Sequence, residues 1–169
     1  MKLNIKTMAI MAMVAALYAA LTLSLAFMSY GPIQFRVAES LNLLAFFNPI
    51  FAPAVLIGVL IANFFSPYGL VDIVFGTGAS AIALLLILAT KRYTNNLFLA
   101  SLWPTIVNAL LIPLIFLIYA GEGITVAAFL PFAASVAIGQ FVVVTIFGYT
   151  LCRALMTKYP KFIEILIKV

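Results

Sequence analysis

The sequence predicts an all-α integral membrane protein, a bundle of about six transmembrane helices with both termini cytoplasmic. Three observations carry that prediction. Of 169 residues, 67% are hydrophobic and only 8% charged, where a soluble domain holds about 45–50% apolar and about 25% charged residues. Several apolar runs reach the roughly 20 residues a helix needs to cross a hydrocarbon core of ~30 Å. The apolar-out, polar-in alternation of a membrane barrel is missing from the sequence, and helices then satisfy the backbone in lipid.

Each element follows from its punctuation. The first helix is expected over about residues 7–28, ending at Ser29-Tyr30-Gly31-Pro32, and is too long for a signal-peptide core. A short second helix, about 37–47, closes at Asn48-Pro49, and a third, about 50–65, carries Pro53 and stops at Ser66-Pro67-Tyr68-Gly69. The fourth, about 72–90, ends at Lys91-Arg92; the fifth, about 97–119, contains Pro104 and Pro113. The sixth opens after Gly121-Glu122-Gly123 and runs over about 125–156. Residues 1–156 thus read as one transmembrane domain with no internal repeat. Residues 157–169 read as an amphipathic cytoplasmic tail, with Phe162, Ile163, Leu166 and Ile167 at helical spacing among Lys161, Glu164 and Lys168, suited to the membrane surface.

Basic residues set the orientation. With the amino terminus inside, Lys2, Lys6, Lys91, Arg92, Arg153, Lys158, Lys161 and Lys168 are cytoplasmic and only Arg36 is outside, a strong positive-inside bias. On this map Glu39, Asp72 and Glu122 lie toward the outer face. The net charge of +5 is therefore a topology signal and not a nucleic-acid surface.

The outer half also collects the unusual polar residues. Arg36 and Glu39, three apart and close to lipid, are costly unless they pair, reach water or hold a ligand. Such a pair can offer a carboxylate to two parallel N–H donors, or it can be an internal salt bridge pinning the loop; Asn42 continues the same face. Asp72 reads either as a helix N-cap or as a ligand contact. Asn108 and Gln140 are amides at membrane depth that need partners, from other helices or from a solute. Asn63 is a weaker candidate of the same kind. Tyr30, Phe35, Tyr68 and Tyr119 gather at the outer boundary as an aromatic belt or a stacking wall, and Trp103 reads as an interfacial anchor. In the first helix Ala12, Ala16 and Ala20 form one small-residue row and Ala15 and Ala19 another, fit for close packing inside the bundle or for docking a separate subunit.

The runs GPIQFRVAESLNLLAFFNP and PAVLIGVLIANFFSPYGLVDIVFGTGAS, with the Ala-x-x-x-Ala first helix, resemble the substrate-binding S component of an energy-coupling factor (ECF) transporter of the QueT type. The resemblance covers most of the chain, and IQFRVAES and GLVDIVFG are its most specific parts. It implies a multi-pass cell-membrane protein that captures a queuosine precursor, a deazaguanine, from outside. Transport would then proceed with a membrane coupling subunit and two ABC ATPases. On that reading Glu39 accepts the N–H edge of the base and Arg36 orients it or donates to the base carbonyl. Asp72 would meet a cationic amine, Gln34, Asn108 and Gln140 would supply further polar contacts, and Phe35, Tyr68 or Tyr119 would stack on the ring. Ala12 and Ala16 match the family's docking motif.

The remaining chemistry narrows the field. Without a phosphate-binding Gly-x-x-x-x-Gly-Lys-[Ser/Thr] loop, ATP hydrolysis would fall to partners. With no histidine and a lone Cys152, no catalytic constellation, metal site or cofactor is expected, so an enzyme is disfavoured. An S component for another vitamin-like solute, or a stand-alone secondary transporter, are the alternatives; missing repeats argue mildly against the latter.

Overall fold

The computed structural model describes residues 4–31, 33–121 and 125–168. Lys2, Pro32, Glu122 and Gly123 lie outside these, as do the side chains of Tyr119, Phe162 and Lys168. Every described element is helical.

α1 (Ile5–Ser24) starts where the Asn4 side chain accepts from the Thr7 N–H at 2.8 Å, the usual way to satisfy an orphan first-turn donor. It is shorter than expected, because the helix breaks at Leu25 and resumes as the single turn α2 (Ala26–Ser29). Tyr30, Gly31 and residues 33–36 are non-helical, with Gln34 in the left-handed region at φ 49°. Side chains other than glycine seldom occupy that region unless surrounding contacts hold them there.

The expected second helix is two structures, a 3-10 helix over Val37–Leu43 and one α-turn, α3 (Leu44–Phe47). The Asn48 side chain turns the chain by accepting from the Ile50 N–H at 3.1 Å, and α4 (Phe51–Phe64) follows. α5 (Leu70–Tyr93) starts earlier than its acidic residue suggested. Gly69 at φ 60° is the residue that opens it, and Asp72 sits inside the first turn instead of capping it. α6 (Leu97–Ala120) is capped by Asn96, contains both Pro104 and Pro113, and closes on Gly121 at φ 67°. α7 (Val126–Gln140) passes into a π-helical segment, Phe141–Gly148, and then α8 (Tyr149–Lys158). The π segment holds the β-branched run Val142–Val143–Val144–Thr145–Ile146, a run that crowds a regular α-turn, and the Thr145 hydroxyl donates to the Ser101 carbonyl at 3.0 Å.

Against an expectation of about six spans, four described helical runs are long and apolar enough to cross a membrane: Ile5–Ser24, Leu70–Tyr93, Leu97–Leu114 and Val126–Lys158. Val37–Phe47 and Phe51–Phe64 are apolar but shorter. At about 1.5 Å per α residue and about 2.0 Å per 3-10 residue, each extends only ~20 Å. α9 (Pro160–Lys168) folds back against the bundle end, burying Ile163 in the main core, while Asn48 donates to its last carbonyls, Leu166 O at 3.1 Å and Ile167 O at 3.2 Å.

One core joins Tyr18, Leu43, Phe46, Phe47, Val55, Val59, Ile87 and Val144. α1 and α4 touch backbone to backbone at Gly58, where a Cβ would lie 2.7 Å from both Ala15 O and Tyr18 Cβ. This contact uses the Ala15 and Ala19 row, which is buried; Ala12, Ala16 and Ala20 face outward on the same helix.

Candidate functional site

The 3-10 helix explains why a spacing of three matters. At three residues per turn, side chains at i and i+3 eclipse, so Arg36, Glu39 and Asn42 stack in a line along one edge. All three are buried, at 3%, 1% and 0% exposure. Glu39 Oε1 accepts from the Tyr18 hydroxyl at 2.6 Å and Oε2 accepts from the Asn42 side-chain amide. Arg36 Nη1 lies 3.9 Å from Glu39 Oε1 and donates to Asn63 Oδ1 at 3.3 Å, and its guanidinium carbon sits 5.3 Å from the Tyr30 ring centre.

Asp72 completes the group from α5. It is wholly buried, with Oδ2 3.9 Å from Arg36 Nη2. Asn63 ties α4 to this turn by donating to the Asp72 carbonyl at 3.3 Å and to Thr77 Oγ1 at 3.2 Å. Gly76, one turn below, leaves the carboxylate its room: a Cβ there would collide with Asp72 Oδ1 and lie 2.9 Å from Asn63 Nδ2.

The two acids differ in what they have left to give. Both Glu39 oxygens are taken by protein donors. Both Asp72 oxygens are buried without a hydrogen-bond partner, as are Arg36 Nε, Arg36 Nη2 and Asn42 Oδ1. Leaving such groups unpaired costs about 1–3 kcal/mol each, and more for charged ones. The cluster also holds two carboxylates against one guanidinium, a formal excess of one negative charge. Its open valences therefore fit a molecule that brings several N–H donors, a positive charge and an acceptor for Arg36.

The other expected site residues fall around this centre. Gln34 is 2% exposed with Nε2 unpartnered, and the backbone at Ile33 and Gln34 presses on α7 where only Gly139 leaves room. Phe35 is half-buried at the core edge. The Tyr68 hydroxyl donates to the Tyr30 carbonyl at 2.9 Å, and the Tyr30 hydroxyl donates to the Ala62 carbonyl at 2.6 Å, so the two tyrosines latch the loops beside Arg36. A groove of about 400 Å³ lined by Leu23, Phe27, Tyr30, Phe65 and Pro67 adjoins that latch. Asn108 on α6 and Gln140 on α7 are buried at 3% and 2%, each with its carbonyl oxygen unpartnered, and the hydrogen bonds of the Arg36 cluster do not extend to them. Sequence reasoning missed Tyr18 and Gly76. A tyrosine midway along an apolar helix, and a glycine four residues after a buried acid, are the signals that point to them. Among the described residues no group of three or more His, Cys, Asp or Glu side chains could hold a metal.

The profile of a protein family described as QueT transporter matches residues 8–157. The chain is 46% identical over 90 residues to the queuosine precursor transporter QueT of Lactococcus lactis subsp. cremoris (strain MG1363). That stretch is 52% of this chain and 53% of the relative, so the match spans about half the length of each. No solved structure matches the chain.

Proposed function

The chain belongs to the QueT transporter family, and on that premise we propose that this multi-pass membrane protein is a substrate-binding subunit that captures a deazaguanine precursor of queuosine. One observation carries the reading: Asp72 and Arg36 are buried side by side with both Asp72 carboxylate oxygens and Arg36 Nε and Nη2 open. A carboxylate in a water-poor pocket accepts two N–H donors at once in strong charge-assisted bonds. The base edge supplies such donors, and the ring carbonyl supplies the acceptor that Arg36 Nε and Nη2 lack. The excess negative charge favours the precursor with a cationic aminomethyl group over a neutral one.

Roles divide accordingly. Asp72 receives the solute, and Glu39, held by Tyr18 and Asn42, anchors Arg36 and the 3-10 helix. Gln34, Asn108 and Gln140 carry open amide atoms for a more distant part of the ligand, and Phe35, Tyr30 and Tyr68 flank the flat ring. The site is closed, so entry requires the Tyr30–Tyr68 latch to part toward the extracellular side. Delivery across the bilayer relies on an ECF-type coupling subunit, docking on the outward row of Ala12 and Ala16, and on two ATPases. Calorimetric titration of the purified protein with the aminomethyl deazaguanine tests the reading: saturable binding that is lost in Asp72→Asn supports it, and no heat with any deazaguanine refutes it.

A further inference from the structure

A second cavity, of about 440 Å³, opens at the opposite end of the bundle, between the C-terminal end of α5, the start of α6, α8 and α9. Lys91, Asn95, Asn96 and Arg153 supply its polar lining, and Phe47, Phe98, Tyr149, Met156, Ile163 and Ile167 much of its apolar wall. Lys91 is exposed at the cavity rim, where its Nζ lies 4.7 Å from the centre of the Phe46 ring and donates to Asn95 Oδ1 at 2.8 Å, contacts that orient the ammonium along the rim. Among the described residues no acid lines the cavity, and neither Lys91 nor Arg153 has an ion-pair partner. Leu97 and Phe98, at the first turn of the long helix α6, add a helix start that favours an anion. The spans Leu70–Tyr93, Leu97–Leu114 and Val126–Lys158 each have one end here, which puts the cavity at headgroup depth.

We propose that this cavity is a binding site for the phosphate of an anionic lipid headgroup, with the acyl chains running along the apolar wall. Two cations in one concavity match a phosphodiester with no second positive charge, and a zwitterionic choline headgroup would bring its ammonium against Lys91 and Arg153. The apolar share of the lining distinguishes a lipid from a free phosphate, which would gain nothing from Met156, Ile163 or Ile167. This site is independent of the Asp72 site, at the other end of α5.

The test uses the full chain in detergent, with lipid retention read by native mass spectrometry and thermal stability read in parallel. Short-chain phosphatidylglycerol is expected to be retained and to raise the unfolding temperature, and phosphatidylcholine at equal concentration is not. Lys91→Gln and Arg153→Gln are each expected to weaken phosphatidylglycerol binding roughly fivefold. Arg92→Gln, whose side chain does not line the cavity, leaves it unchanged. Equal retention of both lipids, or unchanged retention in the Lys91→Gln/Arg153→Gln double variant, overturns the proposal. So does an equal stability gain from inorganic phosphate alone, which would make this a free-anion site. Should a variant not fold, a photoreactive phosphatidylglycerol on the unmodified protein decides: labelling within residues 46–47, 91–98 or 149–167 supports the site, and labelling confined elsewhere overturns it.

Discussion

Replacing Asp72 by Asn separates binding from folding. The change removes one of two carboxylates facing a single guanidinium, and Arg36 keeps Glu39 at 3.9 Å and its bond to Asn63. No hydrogen bond of the Asp72 side chain is lost, since neither oxygen has one. Asp72→Asn is therefore expected to leave the unfolding temperature of the empty protein unchanged or raised. The ligand, in contrast, loses charge-assisted bonds worth about 1.5–3 kcal/mol each, so losing one weakens binding roughly 10- to 150-fold. The loss should be larger for a cationic aminomethyl deazaguanine than for a neutral analogue, because only the former answers the excess negative charge. Titrating both ligands against both proteins in a calorimeter gives the coupling directly. Identical affinity ratios for the two ligands in the original and Asp72→Asn proteins would refute the charge argument. A collapse in stability of the empty Asp72→Asn protein would refute the view that its oxygens are reserved for a solute.

Glu39→Gln should behave the opposite way. Arg36 keeps Asp72 at 3.9 Å, but the bonds that Glu39 accepts from Tyr18 and Asn42 lose their charged acceptor, and the new amide nitrogen meets one of those donors. Stability should fall by about 1.5–3 kcal/mol, the worth of a hydrogen bond to a charged group, as checked by thermal denaturation in detergent. Gly76→Ala places a methyl group against Asp72 Oδ1 and turns the carboxylate; ligand binding should weaken at least roughly tenfold, the equivalent of one lost hydrogen bond to a charge, while circular dichroism is unchanged. The two alanine rows should separate as well. Ala16→Trp on the outward row should abolish co-purification of a coupling subunit while the protein still folds, and Ala15→Trp, against Gly58, should prevent folding altogether.

Much of this arrangement was open to sequence reasoning, for identifiable physical reasons. Long apolar runs and their Gly, Pro and Asn stops located the helix ends from α4 onward to within a few residues, since breakers act locally. The 3-10 form of Val37–Leu43 was not readable, because an i, i+3 polar line suits either helix type, and packing against the π segment at Gly148, where an added Cβ would lie 3.2 Å from Ser40 Cβ, is a tertiary matter. Asp72 looked like a cap because it precedes an apolar run; Gly69, with its positive φ, starts the helix earlier and frees the acid. Arg36, Glu39 and Asp72 could each be nominated from the cost of charge near lipid. Which acid was already occupied depended on Tyr18, whose hydroxyl arrives from another helix 21 residues away in sequence.

The most direct measurement is an experimental structure of the protein with the aminomethyl deazaguanine bound. If Asp72 is the receptor, a ligand nitrogen stands within about 3 Å of its carboxylate, the ring carbonyl faces Arg36, and Glu39 still holds Tyr18 and Asn42. A ring bound elsewhere, with Asp72 facing only Arg36, would contradict the assignment at its foundation.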